Sequence, residues 1–157
     1  GEMAAELAGA AADYQEAVAG IAEERAALDF EYEAEVADAL AWIEADLREL
    51  ERELERAEDN GERRGVQREM DALLRERDAE LAGIETAFAE ARAGLDAELA
   101  GIEAEYAAEV AGVETDFAEA LAGLDEEEAE VHAEYDAAVA EMTAEFDEAL
   151  TALEAQL

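Results

Sequence analysis

The single histidine, His132, stands four residues after Glu128 and four before Asp136. On a helix this spacing puts all three side chains on one face, where an imidazole and two carboxylates could hold a cation. A solvated acidic face produces the same spacing. The inward-facing Glu-x-x-His motif of di-iron bundles is missing, because Ala129 occupies the position its glutamate would need. The expectation is no resident metal or other cofactor, and only unspecific cation binding. Nucleophiles are scarce too. The chain has no Ser, Cys or Lys, and Thr86, Thr115, Thr143 and Thr151 have no partner base nearby in sequence. Carboxylates abound, but a general acid needs an apolar pocket to raise its pKa, and nothing in the pattern supplies one. No glycine-rich phosphate loop follows a strand. Tyr14, Tyr32, Tyr106 and Tyr135 share a local pattern, an acidic residue before and a valine four after. Packing at a core edge with the hydroxyl reaching water accounts for it. No enzyme is expected.

The elements that carry these residues are repeats. Residues 81–109 (LAGIETAFAEARAGLDAELAGIEAEYAAE) and 110–138 (VAGVETDFAEALAGLDEEEAEVHAEYDAA) are identical at 18 of 29 positions. A third copy begins at Val139, the frame recurs upstream at 7–35, and a more diverged copy fills 36–64. Only 65–80 breaks the count. Such self-similarity has to be settled before any fold is assigned. Large apolar residues fall at Leu81, Ile84, Phe88, Leu95, Leu99, Ile102 and Tyr106, with Ala91 filling the gap. Steps of three and four with fours in excess mark hendecads, here two per repeat plus one heptad. Eight turns in that length match the roughly 3.6-residue period of an α-helix. Pure heptads would wind a left-handed supercoil and pure hendecads a right-handed one, so the mixture predicts nearly straight helices. Each repeat would add about 44 Å of rod.

Composition agrees. There is no Pro to interrupt a helix, and no Cys for a disulfide or thiolate site. No apolar run approaches the roughly 20 residues a membrane span needs, and the opening GEMAAELAG has neither the basic nor the apolar region of a signal peptide. Against 47 acidic residues stand 10 basic ones, all Arg, for a net charge of −37. Such a surface repels nucleic acid, anionic membranes and itself. Molar salt shortens the Debye length to about 3 Å and removes most of the self-repulsion. The absence of Lys beside abundant Asp, Glu, Ala and Arg resembles the proteins of halophilic archaea. In its hendecad patterning the chain resembles right-handed coiled-coil stalks of archaeal surface proteins such as tetrabrachion. Its repeated acidic helices are loosely similar to the gas-vesicle coat proteins of halophiles. The resemblance implies a salt-adapted structural coiled coil, in the cytoplasm or at the cell surface of a halophile. A designed helical bundle without biological function is the alternative origin, although designs usually balance Glu with Lys.

The expected fold is all-α, a helical hairpin or coiled coil forming one domain. Residues 1–58 should form one helix with Trp42 covering the edge of its stripe, residues 59–65 the turn, and residues 66–157 the second helix. Asn60-Gly61 tolerates positive φ at the turn and Gly65 offers a second hinge. Eight of the ten arginines lie between Arg48 and Arg77, as if to relieve repulsion where the arms meet. Pairs such as Glu44–Arg48, Glu49–Arg52 and Glu53–Arg56 have favourable helical spacing. Glycines 83, 94, 101, 112 and 123 lie beside the stripe, as if to let helices approach closely. A further break is conceivable at 123–125, where Asp125 and Glu128 have capping-box spacing, but continuous helix is preferred. The second arm then overhangs the first with a bare stripe of Val131, Tyr135, Val139, Met142, Phe146, Leu150 and Leu153. A bare stripe marks an interaction surface, so a homo-oligomer is expected, with no nucleic acid and no membrane insertion. The function that follows is a structural or scaffolding rod. An acidic binding module that mimics DNA toward a basic protein is the other reading.

Overall fold

The computed structural model describes residues 1–157 and is all-helical. Two helices, α1 (Glu2–Arg56) and α2 (Asn60–Gln156), pack against each other as a hairpin, with no strands. Only Gly1, residues 57–59 and Leu157 lie outside them. Two compact units are distinguishable, one comprising residues 11–106 and the other combining 1–10 with 107–157.

The turn is shorter than its sequence suggests. Asn60 and Gly61 belong to α2, Gly65 is helical, and no residue adopts positive φ. Asp59 decides this. Its Oδ1 accepts a hydrogen bond from the Glu62 N–H at 2.8 Å, and the Glu62 carboxylate accepts one from the Glu58 N–H at 3.0 Å. This is a capping box whose return bond is shifted one residue outward. It satisfies two donors that the chain reversal would otherwise leave unpaired, so residues 57–59 suffice and no left-handed glycine is needed. The Ala57 N–H closes α1 with a bond to the Leu54 carbonyl at 3.3 Å. The similar Asp125–Glu128 spacing caps nothing, since α2 runs through residues 123–125 unbroken.

In the unit 11–106 the arms face each other antiparallel. Tyr14 stacks on Tyr106 with ring centroids 4.5 Å apart, and Tyr32 meets Phe88 edge-on at 5.3 Å. Each pair is equidistant from Asn60 along the chain, which fixes the register. Ile21, Ala39, Ile43 and Phe88 are buried there, and the rest of the stripe is mostly half-buried. A helix with one neighbour has open grooves on both sides of the seam, so full burial is confined to the seam's centre line. Ala91, read as part of the stripe, is exposed. The half-buried residue is Arg92, whose guanidinium lies 5.0 Å from the Tyr32 ring centroid and bonds Asp29 at 3.4 Å. Its aliphatic stem covers the seam while its head stays wet.

The arginines near the turn do not bridge the arms. Arg48, Arg52 and Arg68 each donate to the carbonyl four residues earlier in their own helix, and Arg77 bonds its neighbour Asp78. The cross-arm ion pairs come from the two arginines outside that cluster, Arg25 with Asp96 and Arg92 with Asp29. None of the expected Glu–Arg pairs within 44–56 closes; each of these side chains is exposed, where such pairs are worth little.

The glycines do not serve close approach. A Cβ placed at Gly83, Gly94, Gly101, Gly112 or Gly123 would meet nothing within 4 Å. Gly101→Ala should therefore stabilise the helix by about 0.5–1 kcal/mol, read as a raised urea midpoint by circular dichroism. Gly61 is the exception, because a Cβ there would lie 3.1 Å from the capping Asp59 Oδ1.

Candidate functional site

The steps of three and four that set the apolar residues of the α2 seam continue in the sequence through residues 107–157. In the unit formed by 1–10 and 107–157, Ala10 is buried and Met3, Leu7, Val110 and Val113 are half-buried. From Phe117 onward every residue is exposed. Val131, Tyr135, Val139, Met142, Phe146, Leu150 and Leu153 all stand in water, Tyr135 and Phe146 each with 67 % of their surface accessible. Exposure also includes Phe117, Leu121, Leu124 and Leu157, so the bare stripe starts earlier than the sequence suggests. The short turn is the reason. Moving the chain reversal from the middle of 59–65 to 57–59 sets every α1 residue opposite an earlier residue of α2, and the cover runs out sooner.

A single helix in water has no use for such a stripe. Its large side chains expose apolar surface worth about 25 cal/mol per Å² if removed from water, and a contiguous row of them is the mark of an interaction surface. One charge interrupts it, at Glu128. Between Ala93 and Leu157 there are 20 carboxylates and no Arg or Lys, so whatever approaches meets a strongly negative surround.

The residues singled out for chemistry are not brought together. His132 Nε2 lies 3.6 Å from Glu128 Oε1, with both side chains about seven-tenths exposed. Asp136 is outside ion-pair range, and no group of three acidic or histidine side chains is placed to hold a metal ion. Each threonine hydroxyl donates to the carbonyl four residues earlier: Thr86 to Ala82, Thr115 to Ala111, Thr143 to Val139 and Thr151 to Asp147, at 2.8–2.9 Å. A hydroxyl so engaged is part of its own helix. Tyr14, Tyr32 and Tyr106 are half-buried in the seam, and Tyr135 is the one left bare. The concavities are shallow grooves, one of them lined by Asp46, Glu49, Leu50, Glu69, Ala72, Leu73 and Glu76. No helix is long and apolar enough to cross a membrane.

The chain matches no protein-family model, and no curated protein or solved structure matches it significantly.

Proposed function

We propose that this chain is a non-enzymatic structural or scaffolding protein, a coiled-coil rod that self-associates through the uncovered stripe of α2 and works in high salt. The observation that carries the reading is the row of exposed apolar side chains from Phe117 to Leu157. It continues the three-and-four spacing of the stripe in the sequence, and each of its side chains is exposed. The hendecad repeat supports a coiled coil, because it keeps the seam on one side of a helix far longer than a globular domain needs. The net charge of −37 and the absence of Lys support a halophilic setting. At low ionic strength, acidic surfaces brought together repel, and in molar salt the apolar term prevails. A rod of this kind would space, coat or bundle other material in a halophile.

The test is sedimentation equilibrium with circular dichroism from about 0.1 M to 3 M salt, spanning weak to nearly complete screening. A defined oligomer that strengthens as salt rises is expected. A folded monomer at every salt would remove the oligomeric rod and leave the designed bundle as the better account. Capture by a basic protein column that persists in high salt would favour the acidic binding module.

A further inference from the structure

The hairpin contains a pairing rule that specifies how the bare stripe is met. In the repeat frame Tyr14 and Phe88 occupy one position, and Tyr32 and Tyr106 another. Both aromatic contacts join the first position to the second, Tyr14 on Tyr106 and Tyr32 on Phe88. The repeat thus pairs antiparallel with a copy of itself in one register. That register also sets apolar residues opposite each other elsewhere, since Val18 and Ile102, Ile21 and Leu99, and Val36 and Ile84 are likewise equidistant from Asn60.

Past the covered part of α2, the first aromatic position is filled by Phe117 and Phe146 and the second by Tyr135. We propose that two copies of the chain pair antiparallel through residues 124–157, with Tyr135 of each against the partner's Phe146. This rests on the self-association reading above and adds its geometry. In that register Val139 faces the partner's Met142, Val131 the partner's Leu150 and Leu124 the partner's Leu157. Stripe meets stripe throughout, except that Leu153 faces the partner's Glu128. Using Phe117 instead would lay the partner over Val110 and Val113, which α1 already half covers. Each contact occurs twice about a two-fold axis, so the assembly closes as a dimer.

The rule also locates the electrostatic obstacle. Glu128 holds the repeat position of Arg25, and Glu154 that of Asp96. Where the hairpin has the Arg25–Asp96 ion pair, the dimer has Glu128 beside the partner's Glu154, twice. Like charges at these two points make the contact depend on salt. They also make it correctable by one substitution.

The chain has no cysteine, so introduced pairs report cleanly. Val131→Cys with Leu150→Cys, oxidised in about 3 M salt, a range of nearly complete screening, should give a covalent dimer on a non-reducing denaturing gel. Val131→Cys with Leu153→Cys, out of register, should not. A bond within one chain is impossible, because the two sites are about 28 Å apart on a helix and a disulfide needs Cβ atoms about 4 Å apart. Circular dichroism confirms that each variant is folded. Glu128→Arg should tighten the dimer roughly tenfold at low salt, converting two repulsive contacts to attractive ones. Cross-linking of 131 with 153 rather than 150, or a weaker Glu128→Arg dimer, overturns this register while leaving self-association standing. An unsubstituted chain that stays monomeric at every salt overturns the self-association reading itself.

Discussion

Replacing Ile43 by alanine should destabilise the hairpin by about 2–5 kcal/mol. Ile43 is the most deeply buried large side chain, with 1 % of its surface exposed. Its counterpart in the hairpin register, Arg77, is half-buried and turns its guanidinium to Asp78. Truncating Ile43 removes apolar contact from the centre line of the seam and opens a cavity there. The open grooves on either side let neighbours settle inward, which favours the lower half of that range. Ile43→Val should cost about 0.5–1.5 kcal/mol. Val131→Ala, in the bare stripe, should lie within about 0.5 kcal/mol of no effect at concentrations where the chain is monomeric. Urea unfolding followed by circular dichroism in molar salt ranks the three. If Ile43→Ala proves no more costly than Val131→Ala, the α1–α2 seam is not what holds the chain together in solution.

That ranking separates what periodicity can reveal from what it cannot. The steps of three and four mark Ile43 and Val131 as members of one stripe and give no hint that the first is buried and the second bare. The difference comes from the turn, because the point of reversal decides which α2 residues α1 reaches. Asn60-Gly61 is a strong turn signal, yet the reversal occurs just before it. Asp59 has a glutamate three residues on to complete the cap, and a capped helix can start at once. The same Asp-x-x-Glu spacing at 125–128 is silent. A cap forms only where the chain leaves the helix, and there the stripe continues on both sides. The arginines show a different gap. Their crowding between 48 and 77 reads as mutual relief between arms, but on a two-helix seam most of those positions point away from the partner helix. Arg25 and Arg92 do the bridging because they occupy half-buried stripe positions. The glycines beside the stripe do not serve close approach, since open space surrounds nearly all of them.

The second large effect concerns the bare stripe. Changing Tyr135 and Phe146 together to glutamate should leave the helix content unchanged and abolish self-association at every salt concentration. Each side chain is 67 % exposed, so the fold loses little by the change. Aromatic anchors at the centre of an interface each contribute roughly 2–4 kcal/mol. In a two-fold pairing every such loss is incurred twice, and four added carboxylates must then be desolvated against one another. A weakening of at least a thousandfold, roughly 4 kcal/mol, is a conservative expectation. Phe30→Glu is the control. Phe30 is 74 % exposed on α1, off the stripe, so losing it removes a comparably bare aromatic and adds one carboxylate per chain, half the charge of the double variant, without touching the seam. Sedimentation equilibrium at about 3 M salt, a range of nearly complete screening, should show the double variant as a monomer and Phe30→Glu as the parent oligomer. If both variants associate like the parent, the contact between copies lies elsewhere on the molecule. If both fall apart, added charge alone governs assembly and the stripe has no special part in it. Only dissociation confined to the double variant identifies the uncovered face of α2 as the surface through which the chain assembles.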